Sequence, residues 1–209
     1  MEFVFHSLKQ EIHKNYFSNE TINEYIKNRI KANDDHCLHP FDYNVFDESG
    51  NSLFCYAIEH KIEALIDKIL KASSKVDDLY LFIRYKAQEY PIHTIFRLGD
   101  FETFKKVHDA NPKYFLTQLQ NLQDANGNSP LEVLSNLPEA EDKNTFLDRK
   151  AGKLKIASFL AKTHPDFMSK IYHKDDFGNT KSFTEHVKSK GFDEFAVIWD
   201  AHTTNAKSL

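Results

Sequence analysis

Glycine and proline are scarce in this chain of 209 residues, six of each, and cysteine is scarcer at two. Two thiols, Cys37 and Cys55, cannot make a disulfide framework, which fits a reducing compartment. The scattered glycines form neither a Gly-x-Gly-x-x-Gly loop nor a Gly-x-x-x-x-Gly-Lys loop, so no phosphate cradle is expected, and GxSxG and HExxH are also missing. The apolar runs, such as residues 79–83 and 195–199, fall far short of the roughly 18 residues that span a bilayer. The first residues, Met1-Glu2-Phe3-Val4-Phe5-His6, put no basic stretch ahead of an apolar one, so no cleaved secretory signal is expected. A net charge of -4 argues against general nucleic-acid binding. What is plentiful is aromatic: 18 Phe and 9 Tyr exclude a disordered chain and call for a packed core.

The scarce glycines recur in one phrase, Asp-x-x-Gly-Asn-Ser/Thr. It reads Asp47-Glu48-Ser49-Gly50-Asn51-Ser52, then Asp124-Ala125-Asn126-Gly127-Asn128-Ser129, then Asp175-Asp176-Phe177-Gly178-Asn179-Thr180. Asp starts a turn through its side chain, Gly takes a positive φ, and Ser or Thr caps the helix that follows. After Ser52 come Leu53, Phe54, Ala57 and Ile58, a polar break at Glu59-His60-Lys61, and then Ile62, Leu65, Ile66, Ile69 and Leu70 at helical spacing. The unit is therefore a turn, a short helix, a tight loop and a longer helix. Neither helix can bury its apolar face alone, so units must stack.

This arrangement resembles the ankyrin repeat, a β-turn with Thr-Pro-Leu-His-x-Ala followed by two antiparallel helices. The best match is Tyr90-Pro91-Ile92-His93-Thr94-Ile95-Phe96-Arg97-Leu98-Gly99, with Pro91, Ile92 and His93 at the family's Pro, Leu and His and Gly99 at the loop between paired helices. Ser129-Pro130-Leu131 matches again, whereas Ser52-Leu53-Phe54-Cys55-Tyr56-Ala57 keeps the cap and the Ala but lacks the Pro and His. The resemblance implies an all-α, ankyrin-like helical-repeat solenoid of about four degenerate repeats over residues 44–201. Residues 1–43 read as an N-terminal helical cap with helices over 3–14 and 21–32, and residues 202–209 as a frayed tail. The other reading of 1–43 is a separate functional element.

The repeats are longer than the family's period of about 33 residues. From cap to cap, Ser52 to Tyr90 is 38 residues, Tyr90 to Ser129 is 39 and Ser129 to Thr180 is 51. The third unit therefore holds an insertion, placed at residues 137–144, before a delayed outer helix over 145–163. The last unit lacks the Pro-Leu-His set, and its second helix is expected over 193–201, opened by Gly191.

Chemistry-bearing clusters are few. His36-Cys37-Leu38-His39 carries zinc-ligand residue types, but no second pair at ligand spacing accompanies it. Cys55 falls among apolar residues of a short helix, where a thiol is buried and inert. The resemblance makes His93 structural, bonding within and between neighbouring turns. Lys68, Lys71, Lys75, Lys105 and Lys106 read as wet faces of outer helices. No catalytic residue, metal ligand or cofactor is assigned.

What remains is recognition. The resemblance implies a rigid concave face that binds a partner protein through turn tips and short helices. Carried over by position, the contact residues are Glu48, Ser49, Asn51, Glu59 and His60, then Glu89, Arg97 and Leu98, then Asn126 and Asn128, and finally Phe177. Arg97 and Phe177 are the expected anchors because Arg and aromatics dominate interface energies. Two other readings stay open: a thiol- or metal-dependent enzyme using the His36–His39 segment, and a structural subunit of a larger assembly. Lys outnumbers Arg 23 to 4. Eroded ankyrin-like repeats with such a bias are similar to secreted effectors of intracellular bacteria. The resemblance implies a location in the cytoplasm, or secretion into a host cell without a cleaved signal peptide.

Overall fold

The computed structural model describes residues 52–73, 90–110, 112–140, 142–168, 171–174 and 180–203. These are overwhelmingly helical, and the chain divides into two units at Pro91/Ile92. In the first unit, α1 (Leu53–Glu59) packs on α2 (Glu63–Ser73). The Ser52 hydroxyl caps α1 by accepting the Cys55 N–H at 3.2 Å. The stripe read from the sequence is the buried one: Phe54, Ala57 and Ile58 on α1 face the same core as Leu65, Ile66, Ile69 and Leu70 on α2.

The second unit runs α3 (Pro91–Leu98), α4 (Phe101–Ala110), α5 (Pro112–Asn121), α6 (Pro130–Ser135), α7 (Lys143–Thr163) and α8 (Pro165–Met168). A hairpin, β1 (Tyr172–Lys174) and β2 (Thr180–Ser182), then leads into α9 (Phe183–Ser189) and α10 (Asp193–Thr203). The strands are antiparallel, with Tyr172 opposite Ser182 and Lys174 opposite Thr180. The longer helices pack in chain order, α4 on α7 and α7 on α10, while α6 packs on α7 and α9 on α10. Among the described residues no helix is long and apolar enough to cross a membrane.

One turn recurs between paired helices. At α1–α2, the Lys61 N–H reaches the Ile58 carbonyl and the Ile62 N–H reaches Ala57. At α3–α4, Gly99 reaches Phe96 and Asp100 reaches Ile95; at α9–α10, Gly191 reaches Lys188 and Phe192 reaches Val187. Such nested bonds satisfy the last carbonyls of a helix and need a left-handed residue. That residue is Lys61 at φ 52°, Gly99 at 66° and Gly191 at 78°.

The Asp124–Ser129 phrase forms the turn its residues imply. Asp124 Oδ1 accepts the N–H groups of Asn126 (2.9 Å) and Asn128 (2.8 Å), and Gly127 takes φ +82°. Ser129 and Glu132 then make a reciprocal capping box, with Pro130 in the first turn of α6.

Three elements depart from the sequence reading. The repeat pattern did not include α5, which starts at Pro112 and buries Phe115 and Leu119. The cap of the last pair is Ser182, boxed with Glu185, and not Thr180, because residues 180–182 first pair with β1. The delayed outer helix opens at Lys143, two residues earlier than expected, because the Asp142 carboxylate caps it through the Thr145 N–H. The helical cap over 1–43, the segment 73–86 beyond Ser73, and the tail from 204 lie outside the described residues.

The core of the second unit is aromatic. Phe104 stands edge-on to Phe115 and Phe159, with ring centres 5.6 and 5.4 Å away, and packs beside Phe96 and Phe101. A second cluster joins Phe183, Phe192, Phe195 and Trp199 across α9 and α10. Between them, α7 crosses the α3–α4 turn backbone to backbone. A Cβ added at Gly152 would overlap the Gly99 carbonyl, and one at Gly99 would overlap the Arg149 carbonyl.

Candidate functional site

The sequence places partner contacts at helix ends and turn tips. Glu59 and His60 lie exposed at the end of α1, with the His60 ring 4.1 Å from that of Tyr56. Arg97 and Leu98 form the half-buried last turn of α3. Asn126 is exposed, whereas the Asn128 side chain is committed to its own turn, donating to Asp124 Oδ2 at 3.0 Å. Glu48, Ser49, Asn51, Glu89 and Phe177 lie outside the described residues, as does the His36–His39 segment. Cys55 is buried, and its sulfur accepts a bond from the Ser52 hydroxyl at 3.3 Å. Among the described residues no group of three or more His, Cys, Asp or Glu side chains is placed to hold a metal ion.

His93 joins two of these regions. It is fully buried, and its Nε2 donates to the Asn128 carbonyl at 3.1 Å, tying the first turn of α3 to the Asp124 turn 35 residues on. A buried imidazole needs such a partner, and the Asn128 carbonyl, which also accepts the Asp124 N–H at 2.9 Å, supplies it through its second lone pair.

Sequence reasoning passed over a buried and strongly perturbed group, Lys153. Its side chain is 2% exposed, and Nζ donates to the carbonyls of Val133 and Asn136, each at 2.8 Å, closing the C-terminal end of α6. Burial, together with the nearby Arg97 and Arg149 guanidinium groups, lowers its pKa to about 7 against the opposing pull of Glu139. Arg97, Arg149 and Glu139 thus act on Lys153 near the place where the α3–α4 turn crosses α7. Arg149 donates to the Glu139 carbonyl, so the loop after α6 is held across α7 at two points. Lys150 on the same helix reaches Glu194 of α10.

A second unforeseen arrangement links α4 to the end of α7. His108 Nδ1 donates to Asp109 Oδ1 at 3.0 Å, which leaves Nε2 as the acceptor for the His164 Nε2–H, 2.8 Å away. Phe104, Phe115 and Phe159 surround the His108 ring. Burial, and then the like charge that His108 carries when it is protonated, hold the His164 pKa below its ordinary value. The unfolded imidazole gains its proton as pH falls through about 6.5, while the folded one resists, so the unfolded chain binds more protons and stability is lost on acidification. Urea midpoints should therefore fall below pH 6.5 in the parent protein and fall less in His164→Gln. Identical pH profiles would show that the pair does not couple to folding.

Comparison with known family models, with curated proteins and with solved structures gives no match.

Proposed function

We propose that the chain is a non-catalytic protein-binding module, an ankyrin-like array that engages a partner protein through turn tips and the ends of its short helices. One observation carries the reading: three of the helix pairs, α1–α2, α3–α4 and α9–α10, share a turn with the same two backbone bonds, and His93 ties one pair to the turn that opens α6. The chain-order packing of α4, α7 and α10 supports it, since stacked pairs present repeated helix ends on one side. The side chains there mix polar and apolar character, as recognition surfaces do: Arg97 and Asn126 beside Leu98 in this unit.

The test begins with affinity capture of a partner by the full chain, followed by titration of the purified pair. Changing Arg97 and Phe177 together to Ala should weaken binding by more than about tenfold, the usual cost of losing anchor residues, with the helical circular dichroism unchanged. Full affinity in the double variant would show that the partner does not use these turn tips.

A further inference from the structure

We infer that the outer face of α7 is a self-association surface, through which two copies of the chain pair as antiparallel helices. This pairing stands apart from what the turn tips bind. At 21 residues α7 is the longest described helix, and it is apolar on two sides. One side belongs to the core, where Gly152, Ile156, Ala157, Leu160 and Ala161 are buried. On the other, Leu147, Ala151, Leu154 and Ser158 recur at intervals of four, three and four residues, the spacing of a coiled-coil seam. Leu147 is 49% exposed, Ala151 is exposed, and Leu154 and Ser158 are half-buried. An apolar seam open to solvent on a helix already packed on its other side calls for a second helix.

The charges beside the seam select a second copy as that partner. Asp148 and Lys155 each follow a seam leucine by one residue, and both are exposed. Two copies of α7 can run antiparallel about a two-fold axis that passes between Ala151 and Leu154. Leu147 of one copy then meets Ser158 of the other, and Ala151 meets Leu154. Large opposes small in every layer, which lets the helices approach closely. In this register Asp148 of each copy faces Lys155 of the other, so the seam complements itself twice, as a two-fold interface requires. Sliding by one layer sets Asp148 against Asp148 in one direction and Lys155 against Lys155 in the other. A parallel pairing sets Lys150 against Lys155 on both flanks. In the antiparallel register Lys150 lies on the opposite flank, where its charge is already paired with Glu194 of α10. Four such layers bury less than the roughly 1,200 Å² of a standard interface, so the dimer is weak, with a Kd in the micromolar range. Pairing doubles the turn-tip surface, and a partner with two sites would be held by avidity.

Sedimentation equilibrium of the full chain between about 5 and about 500 µM should show a reversible monomer–dimer equilibrium. Asp148→Lys and Lys155→Asp should each weaken it about tenfold, because each turns two attractions into repulsions. The two single variants, once mixed, should pair with each other. A double variant carrying both changes should regain the parent's dimerisation to within about threefold. Leu147→Lys should abolish the dimer, with the helical circular dichroism unchanged throughout. Self-pairing is overturned if the parent stays monomeric at the highest concentration, or if neither the mixture nor the double variant recovers. It is equally overturned if Leu147→Lys dimerises as the parent does, which would move the contact to another face. A monomeric parent whose captured partner is lost in Leu147→Lys would give this face to a different protein and also end the pairing of copies.

Discussion

Gly152→Ala should destabilise the protein by about 2–4 kcal/mol, at the upper end of what overpacking a close contact costs. The direction is unusual. Inside an exposed helix, replacing Gly by Ala gains roughly 1 kcal/mol, because glycine loses the most backbone freedom on folding. Here the new methyl group would overlap the carbonyl of Gly99, and backbone atoms cannot rotate aside as a side chain does. The α3–α4 turn must then lift off α7, disturbing Arg97 on one side and the Phe104–Phe159 contact on the other. Urea unfolding of the variant measures the cost directly. A neutral or stabilising result would show that the backbones do not meet at this crossing.

Raising the pH from about 7 to about 10.5 should stabilise the parent protein relative to Lys153→Met by about 4 kcal/mol, since each pH step of one across that window contributes up to roughly 1.4 kcal/mol. The unfolded lysine keeps its proton to about 10.5, whereas the folded one releases it near 7, so between those values the unfolded chain binds more protons. Stability must then rise with pH across that window and be flat, for this group, below it. The physical source is an amine with 2% exposure whose nearest strong partners are neutral carbonyls and whose charged neighbours include two guanidinium groups. Unfolding midpoints near pH 7 and near pH 10 for both proteins decide the matter. If the two curves run parallel, Lys153 is not the group that titrates.

Local chemistry was readable ahead of the structure. Asp124, Gly127 and Ser129 act within a few residues of themselves, so their types and spacing are enough to specify a turn and a cap. The apolar stripe of Leu65, Ile66, Ile69 and Leu70 has the same character, since period alone selects the buried face. Long-range pairings were not readable. Lys153 sits on a charged helix, where a lysine ordinarily projects into water, and the arrival of the Val133 and Asn136 carbonyls explains its burial. His108 and His164 lie 56 residues apart with no shared motif. The α5 helix escaped notice because it falls between repeats, and the hairpin because three-residue strands carry almost no periodic signal.

Of the candidate contacts, Arg97 is where the two levels meet. Its position at the end of a short helix follows from Pro91 and Gly99, a helix starter and a left-handed stop eight residues apart. Its company does not follow from them. That Arg97 shares its surroundings with Arg149 and Lys153 is decided by the crossing at Gly152, where the absence of a Cβ lets two backbones touch. Sequence determined the helical units, their caps and their turns, because each depends on neighbours along the chain. Tertiary structure alone decided which charges face one another, because that depends on how closely distant helices can approach.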